Sequence, residues 1–187
     1  MTKMMMKQYL FALFLMLSSM ARAQSIDSTK SGFGIAVNSM FSNQINAIET
    51  VPTALFYSGN SQFELGTGLN LFSLKNQRTL SGQFNYKYFP NSRENKYNMY
   101  FMVSCNYTNN LKKTYYPTTN QYLFLSGGYG FQVNIADNLN LGTNLSLGSF
   151  TQSKQSENPY IRQLVTKKMF DNLGMHLSFQ VHVGYQF

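Results

Sequence analysis

His176 and Ser178 stand two residues apart in "LGMHLSFQVHVGYQF", residues 173–187. A histidine near a serine is the start of a nucleophilic pair, in which the imidazole takes the hydroxyl proton and an acid orients the imidazole. The sequence assigns no such acid. On a strand, moreover, residues i and i+2 lie about 7 Å apart at the backbone, so the pair reads first as polar filling of an interior, with catalysis the minor alternative. His176 and His182 suggest metal ligation, but six residues of strand span about 20 Å, and no cluster of carboxylates or thiols accompanies them. Neither a metal nor another cofactor is expected. Glu64 and Lys87 are the clear ionised groups inside otherwise uncharged stretches. Each needs a partner if buried, and an interior ion pair between them is expected; a proton or ion path is the functional alternative. The lone cysteine, Cys105, falls on an apolar face and reads as a small filler.

The elements that would position these residues show period-two alternation, in which i and i+2 share a face. In residues 173–187 the odd positions are apolar, from Leu173 to Phe187, and the even ones are small or polar. The same pattern recurs in "QFELGTGLNLFSL" from Gln62, "LSGQFNYKYF" from Leu80 and "KYNMYFMVSCNYT" from Lys96. It continues in "YLFLSGGYGFQVNI" from Tyr122 and "LNLGTNLSLGSF" from Leu139. Fainter versions lie in "GFGIAVNSMF" from Gly32 and "VPTALFYS" from Val51. Eight strands are predicted. Their connections alternate in length. "GNS", "PNSREN" and "ADN" carry the Gly, Pro, Asn and Asp of tight turns. The others are longer: "SNQINAIET", "KNQRT", "NNLKKTYYPTTNQ" and "TQSKQSENPYIRQLVTKKMFD" at 151–171.

"MTKMMMKQYLFALFLMLSSMARAQ" has Lys3 and Lys7, an apolar run from Tyr9 to Leu17, and Ala21-Arg22-Ala23. These are the head, middle and cleavage site of a secretory signal peptide. Cleavage after Ala23 is expected, with residues 24–187 forming one domain. The net charge of +8 then falls by three, to +5. No later apolar run is long enough for a spanning helix. One cysteine leaves no intramolecular disulfide.

The polar face of the strands decides which side is inside. It is small and uncharged, whereas a water-facing surface is normally rich in charge. An apolar exterior facing lipid around a polar interior accounts for this, and short turns alternating with long loops suit an even-stranded outer-membrane barrel. The fold expected is all-β: an eight-stranded antiparallel up-and-down transmembrane β-barrel with a polar, filled interior. Tyr57, Tyr88, Tyr97, Tyr185 and Phe187 are expected in a periplasmic aromatic girdle, and Tyr107, Tyr122 and Phe150 in an extracellular one.

By this architecture the chain resembles the small eight-stranded outer-membrane barrels of the OmpA/OmpX type. Val181, Val183, Tyr185 and Phe187 resemble the C-terminal signal by which the barrel-assembly machinery recognises its clients, and the resemblance implies an assembly role for them. The His176-x-Ser178 pair resembles that of the lipid A deacylases, although Phe179 follows where that family has asparagine. The expected function is a non-enzymatic outer-membrane barrel that contributes to envelope structure or presents loops to a partner. The alternatives are a lipid hydrolase or acyltransferase, or a narrow channel. Lys75, Arg78, Lys112, Lys113, Lys154, Arg162, Lys167 and Lys168, set against Glu49, Glu157 and Asp171, give the loops a basic rim suited to lipopolysaccharide phosphates. "YIRQLV" within 151–171 is an apolar patch suited to a protein partner. Nucleic acid is not an expected partner.

Overall fold

The computed structural model describes residues 31–45, 48–69, 77–112, 115, 117–156, 169–170 and 173–187. Eight strands follow one another: β1 (Ser31–Ser42), β2 (Ile48–Ser58), β3 (Ser61–Leu69), β4 (Gln77–Tyr88), β5 (Tyr97–Lys112), β6 (Thr118–Asn134), β7 (Leu139–Ser156) and β8 (Leu173–Gln186). Each pairs antiparallel with the next, and β8 returns to β1 to close the barrel. Closure satisfies the backbone donors and acceptors that an open edge would leave bare. Among the described residues no helix is long and apolar enough to cross a membrane; that says nothing about crossing by strands.

The strands run further into the connections than the alternation suggested. β5 continues to Lys112, β6 begins at Thr118, and β7 extends to Ser156 through residues read from sequence as loop. Polar residues such as Asn110, Thr119 and Gln155 are tolerated there because the ladder, rather than apolar burial, holds the strand ends. The short turns behave as their residues suggest. Gly59 opens a two-residue turn with φ at 58°, a left-handed conformation that glycine adopts without a Cβ clash. The β2–β3 ladder has one interruption. Pairing is present at Thr50–Leu69 and resumes at Thr53–Gly66, leaving out Val51 and Pro52. Pro52 has no N–H to contribute.

The faces are inverted relative to a soluble barrel. Phe33, Ile35, Leu65, Met99, Phe101, Leu125, Tyr129, Leu145 and Phe179 lie exposed on the outside. Asn38, Gln62, Asn85, Gln132, Asn144, Gln180 and both histidines are buried inside. The interior is not wholly polar: Phe89, Tyr100 and Met102 form one apolar cluster, and Ile45, Tyr122 and Phe124 form another with Phe150 against it.

Three members of the expected girdles are therefore corrected. Tyr57 is buried. It shares the inward parity of Val51, Thr53 and Leu55. Tyr122 is also inside, on the parity of Phe124 and Ser126. Phe150, paired with Phe124, packs on the inner cluster rather than facing lipid. In each case strand alternation prevails over the preference of aromatic rings for the interface. Tyr97, Tyr107, Tyr185 and Phe187 do face outward.

Candidate functional site

In the half of the lumen toward the short turns, β3 carries Glu64 opposite Asn85 of β4, and Gln62 lies opposite Lys87. The alternation turns all four inward, and Lys87 and Glu64 meet as an ion pair with both side chains fully buried. Glu64 is saturated with donors. Oε1 accepts from Gln62 Nε2 at 2.7 Å, and Oε2 accepts from Asn85 Nδ2 at 2.9 Å and Asn38 Nδ2 at 3.3 Å. Charge-assisted bonds of this kind offset the desolvation that burial imposes. The Lys87 ammonium lies 5.0 Å from the centre of the Tyr100 ring. Tyr100 Oη donates to the Thr143 carbonyl at 3.3 Å and accepts from Asn144 Nδ2 at 3.3 Å, which fixes the ring.

Room for such large inward groups comes from inward glycines on neighbouring strands. A Cβ at Gly130 would run into the Tyr100 ring, and one at Gly142 into the His182 imidazole. This accounts for Gly130 of β6 and Gly142 of β7, whereas Gly128 and Gly148 lie against the backbone of the neighbouring strand.

Below this network the β4–β5 connection folds across the mouth at the short-turn end, bringing Arg93 to Tyr57 and Gln186. Phe89 is fully buried, its ring centre 5.3 Å from that of Tyr100. The Arg93 guanidinium sits 3.5 Å over the Tyr57 ring and donates to Gln186 Oε1 at 2.7 Å. Its carbonyl accepts from Asn98 at 2.8 Å and Asn134 at 3.0 Å. Burial draws the Arg93 pKa down from its ordinary value and Tyr57 opposes this, yet a guanidinium stays protonated. Tyr57 Oη also donates to the Phe187 carbonyl at 3.1 Å. Arg93 and Tyr57 thus form a plug that sequence reading missed. A turn residue gives no periodic signal, although Tyr57 could have been placed by its parity.

In the half toward the long connections, His176 and Ser178 are both inside but have different partners. His176 Nδ1 is 3.3 Å from Ser42 Oγ, and its ring packs on Phe124 with centres 4.5 Å apart. Ser178 Oγ is instead 2.6 Å from Ser146 Oγ. His182 lies by Tyr100, in the other half of the lumen. Among the described residues no three His, Cys, Asp or Glu side chains gather.

Glu49 is not on the basic rim where sequence reading put it. It lies in β2, paired with Met40, and is buried in the lumen. Arg78 and Lys112 are exposed at strand ends, and Lys154 is half-buried. Lys75, Lys113, Arg162, Lys167, Lys168, Glu157, Asp171 and the "YIRQLV" patch lie outside the described residues. Of the C-terminal residues, Val183, Tyr185 and Phe187 are exposed on the outer wall, and Val181 is partly so.

Solved structures share this architecture. The N-terminal β-barrel domain of Pseudomonas aeruginosa OprF superposes with a TM-score of 0.61 at 10% identity, over 86% of this chain and 100% of that one. Neisserial surface protein A gives 0.51 at 10% identity, over 84% and 96%. A major outer membrane protein from Thermus thermophilus gives 0.53 at 13% identity, over 84% and 100%. No protein-family model and no curated protein matches the chain.

Proposed function

We propose that this chain, which has the fold of the small eight-stranded outer-membrane barrels, is a non-enzymatic barrel of the outer membrane. On this reading it reinforces the envelope or presents its loops to a partner. The observation that carries the proposal is the inverted wall: large apolar side chains exposed all round, with amides, hydroxyls and an ion pair buried within. Such a surface is matched to hydrocarbon and would aggregate in water.

Other features support the details. The Arg93–Tyr57 plug and the Glu64–Lys87 network fill the lumen toward the periplasm, which favours a structural role over a channel. His176 and Ser178 have separate partners, which lends no support to a hydrolase built on that pair. The exposure of Arg78 and Lys112 at strand ends supports contact with lipopolysaccharide phosphates, and the apolar "YIRQLV" stretch of the sequence supports a protein partner. Val181, Val183, Tyr185 and Phe187 would serve the barrel-assembly machinery during insertion, before the outer wall is covered by lipid.

The test is electrophoretic mobility of the purified outer-membrane fraction, unheated and boiled. A compact SDS-resistant band that shifts on boiling is the expected result. Recovery of the protein as a soluble periplasmic species would overturn the proposal.

A further inference from the structure

Arg93 carries a charge that the barrel does not answer. Its side chain is 6% exposed and its contacts are neutral: Nη1 donates to the Gln186 amide oxygen, the Tyr57 ring lies against the guanidinium, and Nε is buried without a hydrogen bond. Among the described residues no carboxylate forms an ion pair with it, whereas buried Lys87 has Glu64. A buried charge without a counter-charge is destabilising, so a guanidinium held in this way favours an added oxyanion.

The same guanidinium lines a hollow of about 1000 Å³ at the short-turn end, between the β4–β5 and β6–β7 connections. Hydrogen bonds fix both of its sides. Asn98 and Asn134 donate to the Arg93 and Asn95 carbonyls, and Ala136 and Leu139 exchange backbone hydrogen bonds across the β6–β7 turn. Lys96 lines the hollow as a second cation, Glu94 and Asp137 line it as carboxylates, and the Asn138 and Gln186 amides stand beside them. Two cations alongside two carboxylates suit a ligand that carries both signs. A polyanion would be repelled by Glu94 and Asp137, and a plain amine by Arg93 and Lys96.

We propose that this hollow binds a small zwitterion in which an oxyanion and a primary ammonium are joined by a short linker, phosphoethanolamine being the probe. The oxyanion is taken by Arg93 and Lys96, the ammonium by Asp137 and Glu94. This chemistry has two sources, a free solute and a phospholipid headgroup at the rim, and only the second rests on the outer-membrane reading. A ligand held only by the folded state raises Tm with its occupancy. The experiment is thermal unfolding of the membrane-purified protein in detergent, titrated with phosphoethanolamine, inorganic phosphate or ethanolamine at constant ionic strength. It is repeated in phosphatidylcholine vesicles with and without phosphatidylethanolamine. Folding is read separately from the boiled and unboiled mobilities, so failure to form a barrel is distinguished from failure to bind. The expected result is a saturable rise of Tm with phosphoethanolamine, at several-fold lower concentration than with phosphate, and no rise with ethanolamine. Arg93→Gln should abolish the rise, and Lys96→Gln, on the exposed rim, should move its midpoint several-fold higher. Asp137→Asn should reduce phosphoethanolamine to the level of phosphate. A rise confined to vesicles that contain phosphatidylethanolamine would assign the hollow to the lipid headgroup. No saturable rise in either setting, or a response unmoved by all three substitutions, would overturn the proposal.

Discussion

The two halves of the lumen carry the same residue type at the same depth of burial and treat it in opposite ways. Toward the short turns, Glu64 meets Lys87 and three amides, beside the apolar cluster of Phe89, Tyr100 and Met102. Toward the long connections, Glu49 is buried with no cationic partner among the described residues, and Ile45, Tyr122, Phe124 and Phe150 pack together. The first half joins an ion pair to apolar packing; the second sets a lone carboxylate beside packing. The contrast shows that a barrel wall fixed by backbone pairing tolerates either solution, because the fold does not depend on its interior to choose a register.

The comparison can be broken most directly at Lys87. Lys87→Ala leaves Glu64 buried without its cation and is expected to cost about 3–5 kcal/mol in urea unfolding from detergent. Glu64→Gln/Lys87→Met should recover most of that loss; a double variant as weak as the single one would mean that the pair is not a unit. Next comes Phe124→Ala, expected to cost about 3 kcal/mol by opening a cavity in the aromatic layer. A negligible cost would show that packing does not hold the half toward the long connections. Arg93→Ala removes a charged hydrogen bond and a ring contact and should cost about 2 kcal/mol. It should also be the variant that raises conductance in planar bilayers; an unchanged, silent bilayer would show that the plug is not the barrier. Ser178→Ala loses one hydroxyl pair, for about 1 kcal/mol or less. Loss of a lipid-hydrolysing activity in that variant, with folding intact, would revive the enzymatic reading. Smallest of all, Arg78→Ala on the exposed strand end should leave the urea midpoint unchanged. Equality between Arg78→Ala and Glu64→Ala would erase the distinction between interior and rim.

The strand count, the closure and the inverted faces were legible because alternation is a local property that each segment carries by itself. The placement of Glu64 and Lys87 on neighbouring strands and one face was legible for the same reason. Glu49 was not, because its stretch "NAIETV" mixes loop and strand signals, and only the pairing with β1 shows that β2 begins at Ile48. Arg93 and Phe89 belong to a turn, and the path of a turn is set by what lies beneath it. Tyr57 and Tyr122 could have been placed, since the alternation that defined their strands already turned them inward. That His176 would meet Ser42 rather than Ser178 depends on a contact between the first and last strands, which no local pattern encodes.

Pro52 has a consequence for how the wall comes apart. A closed sheet has no edge, yet the β2–β3 line, with its pairs missing at Val51 and Pro52, behaves as a partial one. The β1–β8 closure, by contrast, pairs without a gap from Gly34–Gln186 to Ser42–Ser178. In amide hydrogen exchange, protection should therefore fail first along β2 and β3, and the seam that closes the barrel should outlast it. On this expectation the first and last strands hold each other more securely than two strands joined by a two-residue turn.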